Sequence, residues 1–314
     1  MGDTLEPEKL QSDPLNDTPL IKQVEARLGE KFPYFAKVIR KRINDFGPRW
    51  CDDFEQELST FFQDRTPELN AATDGYGMFS LDGLKLQKKF DKTLQYQFKS
   101  YEECKDEVYL NRDYMFSLYL PGILMSHFLW PHHYNQLLWF RDFFIPLIAN
   151  EKTFYDVGVG TGFYSKETLR ALPSIRGTGM DISPLSLEHD QLMVKRWGFD
   201  ARYRIEVRDV VTTPPTDVAD CLINVEVLEH LEDPGNFLKS LRKLVKTGGY
   251  AFITAAIDAP NKDHIYLYRN LDSIEIQLRE AAFKVVDRRN FPGFEKTKLE
   301  ETVPQNGAFI CRAE

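Results

Sequence analysis

The sequence holds only four cysteines, Cys51, Cys104, Cys221 and Cys311, and no two are close in the chain. That spacing excludes a C-x-x-C zinc or redox motif. Cys221 and Cys311 lie in apolar runs and read as small buried hydrophobes. Isolated thiols suit a reducing, cytoplasmic setting. A long apolar run is also lacking. The most apolar stretch, Phe116 to Trp130, is broken by Pro121, Gly122, Ser126 and His127. It is shorter than the ~20 residues a bilayer crossing needs, so it predicts core or site lining and no membrane partner. Residues 1–18 are polar and acidic, unlike a secretory leader. No half of the chain is basic: residues 1–150 carry 18 basic and 23 acidic side chains, and the remainder 22 and 25. This balance argues against a broad nucleic-acid surface. Internal repeats and low-complexity tracts are absent as well.

What is present changes texture near residue 150. Before it, apolar residues recur at helical spacing. Leu20, Val24 and Leu28 mark one helix, Phe35, Val38, Ile39 and Ile43 a second, and Phe54, Leu58, Phe61 and Phe62 a third. The segment Asn70 to Leu84 holds Gly75, Gly77 and Gly83 and reads as a loop or short hairpin. Helical texture returns from Tyr101 to Ala149. After residue 150, short apolar strands alternate with amphipathic helices. Strands are predicted over 153–157, 176–180, 202–207, 218–225, 250–256, 283–290 and 307–312, with helices between the first six. That alternation predicts an α/β fold, a doubly wound, Rossmann-like sheet of seven strands with helices on both faces. The last strand follows a helix-free connection, Phe291 to Asn306, and so could run antiparallel.

The first predicted strand runs into Asp156-Val-Gly158-Val-Gly160-Thr161-Gly162. Glycines between a strand and a helix allow a tight turn and the close approach of a ligand. The dinucleotide fingerprint G-x-G-x-x-G would need glycine at position 163, which is Phe163. The second strand ends at Asp181-Ile182, where an acid can accept hydrogen bonds from ribose hydroxyls. Asp209-Val210 follow the third strand, where a carboxylate could meet an adenine amino group. The fourth strand ends in Val225-Glu226 and leads to Glu229-His230-Leu-Glu-Asp233-Pro234. Gly248-Gly249 precede the fifth. Taken singly, the glycines could be an empty turn, Asp181 a helix cap and Asp209 a solvated loop acid. Their order is what joins them.

In these motifs the run from Thr153 to Arg312 resembles the class I S-adenosylmethionine-dependent methyltransferases. The stretch Val227-Leu-Glu-His-Leu-Glu-Asp-Pro234 is similar to the branch containing the ubiquinone-biosynthesis O-methyltransferases. The resemblance implies S-adenosylmethionine as cofactor. It implies Asp156, Gly158, Gly160, Thr161 and Gly162 near the methionine part, Asp181 and Ile182 at the ribose, and Asp209 and Val210 at the adenine. Val225 and Glu226 join this cofactor set.

Methyl transfer to a hydroxyl requires alignment and loss of a proton, and histidine is the usual base near neutrality. His230 has two readings, an active-site base or positioner and a structural role capping the helix at Asp233. His264, in the loop after strand five, should overhang the acceptor. His189 reads as surface. In Trp130-Pro-His132-His133-Tyr134, the start of a helix could close over the cofactor, with Tyr134 near its methionine end, or simply pack on the core. His132, His133, Tyr164 and Tyr268 are candidate substrate contacts. Adjacent histidines on a helix diverge by roughly 100°, so His132 and His133 cannot readily chelate one metal; one of them with His264 and a carboxylate could form a site, but no metal is assigned.

The predicted organisation is a helical lid or substrate-binding region over residues 1–150 and a cofactor-binding methyltransferase domain over 151–314. An aromatic pocket of Phe79, Tyr119, Trp130 and Tyr134 suits a small-molecule acceptor, free or tethered to a carrier protein. The apolar helical faces could also pair in a homodimer. Two alternatives stand beside this reading: an NAD-dependent oxidoreductase, and a methyltransferase-like scaffold without turnover.

Overall fold

The computed structural model describes residues 14–296 and 302–314. The acidic N-terminal segment therefore lies largely outside the described residues, as does part of the Phe291–Asn306 connection. The chain divides into two compact units, one up to Asn70 and one from Ala71 onward. The change of texture at residue 150 is thus not a break between compact units, and residues 71–150 belong with the sheet.

In the first unit, three helices fall where the apolar spacing put them: Pro19–Lys31, Val38–Phe46 and Pro48–Phe62. Gly47, at φ +68°, lets the chain reverse between the last two, and Pro48 starts the third without losing a needed N–H. Ile21, Val24, Leu28, Ile39, Trp50, Phe54 and Leu58 are buried. Each such side chain contributes ~1.5–3 kcal/mol of transfer free energy.

The predicted loop over residues 70–84 is instead part of one helix, Thr66–Thr93. Its Gly75 serves close packing rather than a turn: a Cβ there would meet the Ser117 carbonyl oxygen at 2.4 Å. Gly122, in the helix Leu120–Leu129, likewise admits the ring of Phe79, whose Cγ would lie 2.5 Å from an added Cβ.

The second unit is built on seven strands: β1 (Thr153–Val157), β2 (Arg176–Asp181), β3 (Tyr203–Val207), β4 (Cys221–Asn224), β5 (Tyr250–Ile257), β6 (Phe283–Pro292) and β7 (Gln305–Ala313). Their order is β3-β2-β1-β4-β5-β7-β6, with β1 to β5 parallel and β7 antiparallel to both neighbours. The order reverses between β1 and β4, the edge at which open α/β sheets bind ligands. One expected helix is missing. The β3–β4 connection holds Pro214-Pro215 and no helix, and the fourth strand shortens to four residues. Pro214 and Pro215 supply no backbone N–H to continue a helical ladder.

The helices Pro234–Leu244 and Leu271–Glu280 cover one core with Leu238, Leu241, Ile274 and Leu278 against Leu222, Ile253 and Phe309. Phe252 of β5 packs against Phe140 at 4.9 Å and Phe144 at 5.4 Å between ring centres. Among the described residues no helix is long and apolar enough to cross a membrane.

Candidate functional site

The glycine turn leaves β1 through three left-handed positions, Gly158 (φ +75°), Gly160 (φ +52°) and Gly162 (φ +75°). L side chains rarely adopt these angles. The three differ in surroundings. A Cβ at Gly158 would strike Val227 Cγ2 at 2.4 Å, and one at Gly162 would strike Asp190 Oδ1 at 2.2 Å. Gly160 has nothing within 4 Å, so it faces space that a ligand can fill. Thr161 is buried, and its carbonyl oxygen accepts a hydrogen bond from His189 Nδ1 at 3.1 Å. His189 is therefore interior, correcting its surface reading. Burial, and then the Arg196 charge, push its pKa down to about 4 against the hydrogen bond to the Thr161 carbonyl.

Asp181 sits at the end of β2. Its Oδ1 accepts from Ser183 N at 2.8 Å and its Oδ2 from Gly160 N at 3.4 Å. Burial raises its pKa to about 6 against these backbone donors and the nearby His230 charge. Ile182 beside it is an exposed apolar side chain, whereas Val210 is buried. The Asp209 carboxylate is spent within its own loop, accepting from Val211 N and Thr212 Oγ1. Asp156 does not face open space either. It is 2% exposed and its Oδ2 accepts from Ser165 Oγ at 2.7 Å.

Beyond β4, Val225 is half-buried and Glu226 takes φ +53°. Glu226 Oε1 accepts from Thr254 Oγ1 at 2.5 Å. The following turn carries Glu229 and His230. His230 Nδ1 lies 3.2 Å from Asp263 Oδ2, 3.1 Å from the Asp263 carbonyl oxygen and 3.0 Å from the Tyr109 hydroxyl. Tyr109 donates its own hydrogen to Asp263 Oδ2 at 3.0 Å. Nδ1 meets carboxylate and carbonyl oxygens, so it must carry a hydrogen. Burial works against a charge on His230, but Asp263 prevails and raises its pKa to about 10. Burial would raise Asp263, but the imidazolium holds it well below the carboxylate range. The capping reading of His230 is superseded, because Asp233 Oδ1 itself accepts from Asn236 N.

His264 stands with its ring centre 4.8 Å from that of His230, at right angles. Its Nδ1 lies 2.6 Å from the Ala259 carbonyl oxygen, which fixes a hydrogen there too and leaves the Nε2 lone pair free. Burial first, then the His230 charge, lowers its pKa to about 3. Glu229 is fully buried, and neither of its oxygens has a hydrogen-bond partner. Glu229, His230 and His264 offer one ligand atom each within 4.8 Å of one another, a set capable of holding a metal ion.

The other predicted contacts lie elsewhere. His133 Nδ1 meets Ser126 Oγ at 2.9 Å, and burial drops its pKa to about 3. His132 stacks on Trp130. Trp130 also stacks on Phe79, which touches Tyr119 edge-on, so three of the four predicted pocket aromatics meet. Tyr134 packs on Phe128 and is fully buried. The Tyr164 hydroxyl accepts from Gln136 Nε2 at 2.9 Å. Tyr268 belongs to the core under the sheet and donates to Gln277 Oε1, which removes it from the acceptor side. Sequence reading overlooked Tyr109 and Asp263 as site residues. Tyr109 lies in no motif, and Asp263 was legible only as a neighbour of His264.

A family model described as a methyltransferase domain matches residues 155–251. The ubiquinone biosynthesis O-methyltransferase of Nitrosomonas europaea is 35% identical over 122 residues, 38% of this chain and 48% of that protein. Its counterpart from Caulobacter vibrioides is 30% identical over 101 residues, 32% of this chain and 39% of that protein. The chain thus spans less than half the length of these two relatives. An O-methyltransferase family protein from Burkholderia thailandensis shares the fold, with a TM-score of 0.52 and 13% identity over 77% of this chain and 71% of that one.

Proposed function

We propose that this chain, which carries a class I S-adenosylmethionine-dependent methyltransferase domain, methylates a hydroxyl of a small organic acceptor, free or carrier-tethered. One observation carries the reading: the open glycine turn and the His230–Asp263 pair are neighbours. Gly158 packs on Val227, three residues before His230, and Asp181 lies within electrostatic reach of His230.

The residues fit the cofactor. Gly160 leaves room for it, the Asp181 carboxylate can take ribose hydroxyls, and exposed Ile182 offers an apolar contact for the base. When bound, S-adenosylmethionine supplies a methyl group on positively charged sulfur, open to in-line displacement.

The two histidines divide the remaining work. His230, held as an imidazolium by Asp263, has Nε2–H left to steady the negative charge that develops on the acceptor oxygen. His264, kept neutral, has an Nε2 lone pair to receive the acceptor's hydrogen bond. A histidine of such low basicity is a weak base alone, so the pair suits an acidic hydroxyl, a phenol or an enol. Glu229, raised by burial against the lowering effect of the His230 charge, is the buried carboxyl beside both rings that can take the proton onward when ionised.

Calorimetric titration with S-adenosylhomocysteine, beside NAD and with Asp181→Ala, tests the cofactor. Binding of the first ligand only, weakened by the substitution, supports the reading; binding of NAD alone overturns it. A screen of phenolic acceptors with labelled cofactor then tests turnover. A second reading rests on the Glu229, His230 and His264 set, which would bind a divalent ion and the acceptor oxygen directly. Chelation separates the two.

A further inference from the structure

Behind the glycine turn runs a buried chain of four oxygen-bearing side chains from four different elements. Asp156 Oδ2 on β1 lies 2.7 Å from Ser165 Oγ on the helix Phe163–Ala171. Ser165 Oγ lies 2.7 Å from the Tyr203 hydroxyl on β3. That hydroxyl lies 2.9 Å from Asp190 Oδ2 on the helix Pro184–Arg196. None is more than 9% exposed.

Three hydrogen-bond contacts need three hydrogens. Two hydroxyls supply two, and an ionised carboxylate supplies none. The third must sit on Asp156 or Asp190. The surroundings agree. Burial raises Asp156 to about 7 and Asp190 well above the carboxylate range, and the Asp156 charge raises Asp190 further. The further charge acting on both, Asp181 of β2, is negative as well.

The chain is also built into the turn. An added Cβ at Gly162 would collide with Asp190 Oδ1 at 2.2 Å, and one at Gly179 with the Tyr203 hydroxyl at 2.1 Å and Asp190 Oδ2 at 2.7 Å. Two glycines thus make room for one carboxyl and one phenol. The helix bearing Asp190 also sends His189 to the Thr161 carbonyl oxygen, inside the same turn.

We propose that Asp156, Ser165, Tyr203 and Asp190 form a proton-holding brace, one carboxyl neutral, that positions the glycine turn for the cofactor. Asp190 and Tyr203 are positioning residues, acting through the turn rather than by touching the ligand. Loss of the shared proton leaves two buried carboxylates at the ends of one hydrogen-bonded chain beneath the turn, which then loosens. The proposal rests on the cofactor reading above.

The test is the pH dependence of S-adenosylhomocysteine affinity in the full chain, by calorimetry from neutral to alkaline pH, with melting measured for each variant. Wild type should lose affinity as pH rises. Asp190→Asn supplies the third hydrogen permanently from its amide. It should match wild type at neutral pH and lose most of the alkaline decline. Asp156→Asn should likewise lose most of the alkaline decline, read relative to its own affinity at neutral pH, and serves if the first variant does not fold. Asp190→Ala should bind about tenfold more weakly or worse. An alkaline decline unchanged in the folded Asn variant, or wild-type affinity in Asp190→Ala, overturns the brace alone. No binding by wild type at any pH overturns the cofactor reading and the brace together.

Discussion

His230 Nδ1 and Asp263 Oδ2 lie 3.2 Å apart across 33 residues of chain, bringing the loop after β4 against the loop after β5. The Tyr109 hydroxyl bridges both. The contact fixes the tautomer and charge of one histidine and leaves its neighbour, His264, neutral. Asp263 therefore sets the charge of His230, while burial and that charge keep His264 neutral.

Replacing that carboxylate should remove most of the charge on His230 near neutral pH. In Asp263→Asn the His230 pKa falls from about 10 toward its ordinary value. We expect turnover to drop by about tenfold or more near pH 8, with a smaller loss near pH 6, where the ring stays charged. A rate–pH profile of the variant checks this. An unchanged profile would show that His230 does not act as an imidazolium.

The same pair predicts a stability profile. His230 has a folded-state pKa raised above its ordinary 6.5. Its contribution is complete below about pH 6.5 and is lost as pH climbs through about 10. Asp263 has a lowered pKa, so its share is present above 3.8 and fades on acidification. Urea midpoints should fall between pH 7 and 10 in wild type and fall less in His230→Gln.

Asp181→Ala removes the acid at the end of β2 without opening the core. Affinity for S-adenosylhomocysteine should weaken by roughly ten- to a hundredfold, the scale of a charged hydrogen bond or two. Thermal melting of the unliganded variant should move little. A large melting shift would instead mark Asp181 as the turn's structural support, through Ser183 N and Gly160 N.

Two glycines separated only by Thr161 should respond differently. Gly160→Ala enters open space at φ +52°, so it should fold with a modest loss, about 1 kcal/mol, and block the ligand. Gly162→Ala meets Asp190 and should cost about 1–3 kcal/mol or more, read from denaturant midpoints.

Metal dependence separates the two acceptor readings. If the histidines work directly, dialysis against a chelator leaves turnover unchanged. Activity lost to the chelator and restored by one divalent ion would assign Glu229, His230 and His264 to a metal site.

Local pattern determined much of this protein. The alternation after residue 150, the glycines at 158, 160 and 162 and the acids ending the strands are short-range features, readable because each strand–turn–helix unit is written in consecutive residues. The three glycines at 75, 77 and 83 misled, since local propensity cannot show that Gly75 must admit the Ser117 carbonyl. Only tertiary structure decided the chemistry beyond the cofactor turn. The partnership of Tyr109, His230 and Asp263 spans 154 residues, and no periodicity records it. The proton held among Asp156, Ser165, Tyr203 and Asp190 exists only because two helices and two strands bury those oxygens together, away from water that would otherwise supply the missing hydrogen.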